Sequence, residues 1–283
     1  MIIRTINRNN ETTDIIAHVL GKNKTWVFTH DDTELNPGQL KKIKTFIKKR
    51  RAGVPLAYLF GYKYFYGLKF KVTKDTLIPR PETELVIDKT LQLLIRHPER
   101  SEGSKYSGKR FFANAQNDEV VRILDVGTGS GCIAISLAKN LPKHRYQIYA
   151  SDVSAKALAI AKQNARTHKS KIKFIKSDLL NNINQSFDLI IANLPYLDRN
   201  WKHASIKQEP KKALFADRKG LALIGKLLNQ IAKRDHKPEY LILEFDPRQK
   251  NDLQKLILKY FPKSKINFYK DYANYWRAVV VKI

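Results

Sequence analysis

The chain has 283 residues, 43% of them hydrophobic and 10% aromatic, and its 53 basic against 26 acidic residues give a formal charge of +27. This composition excludes a disordered chain and leaves material for one large domain or two smaller ones. No apolar run reaches the ~18 residues of a membrane span, and the lone cysteine, Cys132, cannot form an internal disulfide.

The opening Met1-Ile2-Ile3-Arg4-Thr5-Ile6 carries no secretory apolar segment, so the expected compartment is the cytoplasm. A strongly positive field attracts nucleic acid or acidic protein. Lys41, Lys42, Lys44, Lys48, Lys49, Arg50 and Arg51 crowd one helical stretch and could form a docking patch. Solvated lysines explain such a run more simply, so nucleic acid is an allowed partner and not a required one. A monomer is expected.

Residues 12–60 read as short helices. Asp14-Ile15-Ile16-Ala17-His18-Val19-Leu20 stops at Gly21, and a second helix follows Pro37 with Leu40, Ile43 and Ile47 at helical spacing. Residues 1–61 are therefore expected to form a small helical domain. The alternating aromatic run Tyr62-Lys63-Tyr64-Phe65-Tyr66-Gly67-Leu68-Lys69-Phe70 predicts a β-hairpin, and the two prolines of Leu77-Ile78-Pro79-Arg80-Pro81-Glu82-Thr83-Glu84 force extended backbone before a helix near 83–95. Hairpin and helix make a connecting unit over 62–96. Residues 97–120 are polar, lack apolar periodicity and read as a flexible insertion.

From 121 to 283 strands and helices alternate. Strands are expected near 121–126, 146–151, 172–176, 187–192 and 240–245, with two closing strands near 265–270 and 276–282. Helices fall near 131–140, 154–168, 220–234 and 248–260. The pattern predicts an α/β domain with a mostly parallel sheet covered on both faces. The seven histidines show no metal-ligand spacing, and no metal is expected.

The first of these strands runs into Asp125-Val126-Gly127-Thr128-Gly129-Ser130-Gly131, where alternate glycines let a ligand approach bare backbone. Asp152 ends the second strand, where an acid meets ribose hydroxyls in nucleotide-binding α/β folds, and Asp178 ends the third, placed for an adenine amino group. A dinucleotide loop wants G-x-G-x-x-G/A, yet here Cys132 follows G-x-G-x-G directly. That pattern suits S-adenosyl-L-methionine, which has no phosphate to cradle. Asp125 is expected to orient the glycine loop.

The fourth strand, Leu189-Ile190-Ile191-Ala192, delivers Asn193-Leu194-Pro195-Tyr196. The Asn193 amide can donate and accept, matching a planar nitrogen. Leu194 precedes proline, so its carbonyl projects outward as a second acceptor. Tyr196 offers a flat face to a planar substrate or a cationic methyl donor. Together with the glycine loop, this segment predicts methyl transfer to a planar nitrogen.

Pro55-Leu56-Ala57-Tyr58-Leu59-Phe60-Gly61, Phe65-Tyr66-Gly67-Leu68 and the 77–84 motif stand in the order found in one family. Glu209-Pro210, Ala213-Leu214-Phe215, Gly220-Leu221, Leu243-Glu244 with Gln249, and Lys270-Asp271 agree with it. The chain thus resembles the peptide chain release factor glutamine N5-methyltransferases over nearly its whole length, outside 97–119. The resemblance implies a class I S-adenosylmethionine-dependent methyltransferase fold, Rossmann-like with a seven-stranded sheet, behind the helical N-terminal domain and hairpin. It implies methylation of the glutamine in the Gly-Gly-Gln motif of release factors in translation termination. Gly127, Thr128, Gly129, Ser130, Gly131, Asp152, Asp178, Leu179 and Asn193 would line the donor pocket, residues 193–196 would hold the glutamine amide, and residues 80–84 would cover the donor.

The chain departs from the family at Leu194, where a proline is usual, at Ala216-Asp217, at Phe245-Asp246 and over Tyr272-Ala273-Asn274-Tyr275-Trp276. Three rival readings remain. One is a methyltransferase acting on a ribosomal-protein glutamine, another acts on an exocyclic amine of DNA or RNA, and the third is a donor-binding protein with little turnover.

Overall fold

A computed structural model describes residues 1–6, 9–95, 120–198, 209–210 and 213–283. The expected insertion, all but its last residue, lies outside them. So does His203.

The N-terminal helices begin and end where local chemistry dictates. α1 (Asn10–Leu20) starts at Asn9, whose side chain accepts from the Thr12 N–H, and stops at Gly21 with φ +67°. The short α2 (Lys24–Thr29) is capped by Asn23. α3 (Pro37–Arg51) opens on a capping box of Asn36 and Gln39 with proline in its first turn, and α4 (Leu56–Phe60) ends at Gly61. Ile3, Ile15, Ile16, Val27, Leu35 and Ile43 form their shared core. Helices this short are stable only because these faces meet.

β1 (Tyr62–Phe65) and β2 (Leu68–Lys71) pair antiparallel through a two-residue turn, Tyr66-Gly67, with φ +49° and +71°. Positive φ at both positions matches the twist of the flanking strands. Phe65 and Phe70 are buried in the core of the large domain, so the hairpin is packed there and not an arm in solvent. A 3-10 turn at Pro81–Thr83 then leads into α5 (Glu84–Ile95).

The large domain is built on β3 (Val121–Val126), β4 (Tyr146–Asp152), β5 (Lys173–Lys176), β6 (Leu189–Ala192), β7 (Tyr240–Glu244), β8 (Lys265–Lys270) and β9 (Trp276–Lys282). Seven strands run in the order β5-β4-β3-β6-β7-β9-β8, parallel from β5 to β7, with β9 antiparallel to both its neighbours. This is the α/β architecture anticipated from the alternation. Its helices are α6 (Cys132–Asn140), α7 (Ala155–Thr167), α8 (Ala222–Ala232) and α9 (Lys250–Tyr260).

Alternate strand residues supply two cores. Leu124, Val126, Ile190, Leu241 and Leu243 pack with Ile224, Leu227, Leu228, Leu253 and Ile257 of α8 and α9. On the other face Ile123, Leu189, Ile191 and Ile242 pack with Val86 and Ile87 of α5 and with Ile133, Ile135 and Leu137 of α6. β3 to β5 build the sheet in one direction and β6 to β7 in the other, so the order reverses between β3 and β6. Open α/β sheets bind ligands at the carboxyl ends of the strands flanking such a reversal. Among the described residues no helix is long and apolar enough to cross a membrane.

Candidate active site

The glycine loop leaves β3 with backbone that other residues resist, as Gly127, Gly129 and Gly131 have φ of +75°, +55° and +81°. Asp125 holds the loop from beneath. Its buried Oδ2 accepts from Thr128 Oγ1 at 2.6 Å and from the Ala134 N–H at 3.3 Å. Burial raises the Asp125 pKa to about 7, with the Thr128 and Ala134 hydrogen bonds opposing that shift. Thr128 and Ser130 are buried. Asn164 of α7 secures the loop from behind. Its amide donates to Ser130 O at 2.9 Å and Lys71 O at 3.0 Å, and its oxygen accepts from the Lys71 N–H at 2.8 Å.

Asp152 closes this side of the cleft. Its carboxylate accepts from the Gly129 N–H and the Ser154 N–H at 2.9 and 2.8 Å. Each oxygen keeps a further lone pair for a ligand hydroxyl. Burial raises its pKa against those two hydrogen bonds. The residues fit a bulky nucleoside donor: a Cβ on Gly129 would meet nothing closer than 4.0 Å, so bare backbone borders open space beside a fixed carboxylate.

Asp178 follows β5, and its half-exposed carboxylate pairs with Lys226 of α8 at 2.5 Å. Leu179, next to it, is buried with φ +53°.

Across the cleft β6 ends in the segment 193–196. Asn193 Nδ2 donates to Thr83 Oγ1 at 3.1 Å and to Glu244 Oε2 at 2.8 Å. Both its N–H groups are thereby engaged, so the amide that could donate or accept is left with its oxygen. Tyr196 Oη donates to Glu244 Oε1 at 2.9 Å. Burial, and then the Glu244 carboxylate, push the Tyr196 hydroxyl far above its ordinary pKa, and it stays a donor.

Leu194 is buried and packs onto the glycine loop: a Cβ at Gly127 would lie 3.0 Å from Leu194 Cδ2 and 3.9 Å from Asn193 O. The two loops touch. Pro195 is half-buried.

Further supports come from elsewhere in the chain. Leu197 pairs with 214–216 through Leu197 N to Leu214 O at 2.9 Å and Ala216 N to Leu197 O at 3.0 Å. Gln249 Nε2 donates to Tyr196 O at 2.8 Å and Lys219 O at 2.7 Å. The 77–84 segment is tied by Thr83 to Asn193 and by Arg80 to the buried carboxylate of Glu209. Asn164, behind the glycine loop, had a readable sign, since it falls on the buried face of α7 with Ala157, Leu158, Ala161 and Ala165.

Residues 7–61 match the family model described as PrmC N-terminal domain, and residues 101–229 match the one described as methyltransferase small domain. The chain is 32% identical over 281 residues to the release factor glutamine methyltransferase of Mycoplasma mycoides subsp. mycoides SC, covering 95% of this chain and 90% of that one. It is 31% identical over 249 residues to the protein of the same name from Haemophilus influenzae, covering 85% and 80%. Among solved structures, human methyltransferase 10 domain containing protein aligns at TM-score 0.51 and 16% identity over 77% of this chain and 90% of that one, a likeness of fold.

Proposed function

This chain belongs to the family of release factor glutamine methyltransferases, and from that premise we propose that it methylates the side-chain amide nitrogen (N5) of the glutamine in the Gly-Gly-Gln motif of a peptide chain release factor. The donor, S-adenosyl-L-methionine, supplies an already activated methyl group. The chain's residues then have to bind, orient and exclude water more than to supply a strong base. Gly127 to Gly131 and Asp152 form the donor cradle, and Leu179 borders it.

The carrying observation is the committed state of Asn193, whose two N–H groups are engaged by Thr83 and Glu244. Its oxygen and the Leu194 carbonyl are the acceptors left for the two hydrogens of a primary amide. Drawing those hydrogens away restores electron density to a delocalised nitrogen. Tyr196 gives the amide plane a flat wall, and Pro195 fixes the turn between them. The nitrogen releases one proton to water as its new bond to carbon forms.

On this reading residues 1–61 recognise the release factor, 62–96 connect it to the catalytic domain at 121–283, and 97–120 are an insertion without a catalytic part. The protein works as a monomer in the cytoplasm, where release factors act. Its charge of +27 leaves nucleic acid an allowed but unnecessary partner.

The test incubates the protein with labelled donor and, in parallel, a release factor, ribosomal subunits and DNA. Peptide mass mapping is expected to find one methyl on the Gly-Gly-Gln glutamine. Label confined to ribosomal protein or to nucleic acid, or no label with donor still bound, would overturn the proposal.

A further inference from the structure

Glu244 is the last residue of β7 and is 1% exposed, at the end of a strand whose five residues are all buried. A carboxylate in such a place is retained only if it is fully partnered. Its two oxygens accept from Asn193 Nδ2 and Tyr196 Oη. Thr83 Oγ1 accepts the other Asn193 N–H, and its hydroxyl favours the ionised form of Glu244. Three segments far apart in sequence meet on one carboxylate.

An ionised carboxylate can only accept, so the end of a carboxamide that meets it must be the NH₂ end. An Asn amide is otherwise free to reverse by half a turn about its last torsion. We infer that Glu244 is a positioning residue that locks the Asn193 carboxamide with its oxygen toward the acceptor, and so restricts the site to an acceptor that donates N–H. This rests on the reading that Asn193 meets the acceptor nitrogen. A neutral group at 244 both donates and accepts. Asn193 could then reverse and present its own NH₂ to the substrate's NH₂, where neither accepts.

The charge of Glu244 is set by its surroundings. Burial raises its pKa. The Thr83 hydroxyl, a hydrogen bond from Tyr196 and the Arg277 guanidinium of β9 favour its ionised form, and Glu82, ahead of α5, opposes it. Cys132 of α6 also feels its field. As pH falls through the raised pKa, the carboxylate gains a proton, one acceptor is lost and the lock opens. Turnover therefore has an acid limb that belongs to Glu244.

The experiment compares the full chain with E244Q and T83V. Donor affinity is measured by calorimetry and kcat with a glutamine-bearing release factor as a function of pH. The side-chain amide signals of Asn193 are followed by NMR, assigned through their loss in N193A. E244Q is expected to lower kcat roughly 10- to 100-fold, the worth of a hydrogen bond to a charged group. Its donor affinity stays within about twofold of the parent, it lacks the acid limb, and its Asn193 amide signals move. T83V, which removes a hydroxyl favouring the ionised form, keeps the acid limb but shifts it to higher pH. That variant carries the test alone if E244Q does not fold.

Parental kcat and acid limb in E244Q, or an unshifted limb in T83V, would overturn the inference. Asn193 signals indifferent to residue 244 would do so as well. Should the parent leave the release factor unmethylated while the Asn193 signals still follow Glu244, the lock stands and only the proposed substrate falls.

Discussion

Replacing Gly220 with alanine is expected to displace the acceptor loop while the sheet stays intact. Gly220 has φ +82°, and a Cβ there would lie 1.8 Å from Tyr196 O and 2.4 Å from Gln249 Nε2, where real Cβ contacts keep at least 3.0 Å. The 217–220 turn and the Tyr196 backbone must therefore part by about 1.2 Å. Gln249 Nε2 bonds the carbonyls on both sides of that gap, Tyr196 O and Lys219 O, and cannot follow both. The left-handed backbone costs an alanine about 1–2 kcal/mol, and a buried carbonyl left unpaired costs about 1–3 kcal/mol. The sum is a loss of roughly 2–5 kcal/mol. A shift of about 1 Å in a substrate-positioning group costs on the order of 100-fold in rate.

Calorimetric melting, donor binding and methyl transfer are the readouts. Tm and kcat are expected to fall, with donor affinity changed only a few-fold, because the glycine loop is anchored separately by Asp125 and Asn164. Gly225→Ala is the matched control. It lies within α8, and its Cβ would sit at an ordinary 3.6 Å from Leu256. That change should be neutral or stabilise by up to about 1 kcal/mol. If Gly220→Ala melts and turns over like the parent, the 217–220 turn does not buttress Tyr196.

Asp125, with a folded pKa raised from 3.8 to about 7 by burial, keeps its proton longer in the folded than in the unfolded chain. Its contribution is fully present below pH 3.8 and is lost as pH rises to about 7, at about 1.4 kcal/mol per pH unit. Asp125→Asn should flatten that part of the stability profile in denaturant melts, and an unaltered slope would assign it to other groups. Asn164→Ala strips partners from Ser130 O, Lys71 O and Lys71 N. It should cost roughly 2–5 kcal/mol in urea unfolding, and a change below about 0.5 kcal/mol would mean that water replaces the amide without loss. Asp152→Ala should weaken donor binding at least ~10-fold by calorimetry; an unchanged Kd would remove Asp152 from the cradle.

Sequence reasoning reached the parts of this molecule whose causes are local. Gly127, Gly129 and Gly131 announce a loop of bare backbone, Gly67 a tight hairpin, and Pro37 the start of α3, each within a few residues. The strands from β3 to β9 were legible because buried strands read as apolar runs between turn residues. The orientation of Asn193 was not, because its partners lie 51 and 110 residues away. The same distance hid the pairing of Asp178 with Lys226, 48 residues on. Asn164 showed that it was buried, but not that its partners would be Ser130 and Lys71.

The acceptor side of the cleft is therefore assembled by folding and is not carried by any one motif. Asn193 and Tyr196 come from the tip of β6, Glu244 from the end of β7, and Thr83 from the segment that joins the hairpin to α5. Withdrawing Thr83 frees one Asn193 N–H and removes a hydroxyl that favours the ionised Glu244. Docking of the 77–84 segment, held also by Arg80 on Glu209, is thus coupled to the charge of Glu244 and through it to Asn193. A segment that completes the polar network of the cleft makes its docking and acceptor recognition one event, so loosening Arg80 should weaken selection of the amide before it weakens the sheet.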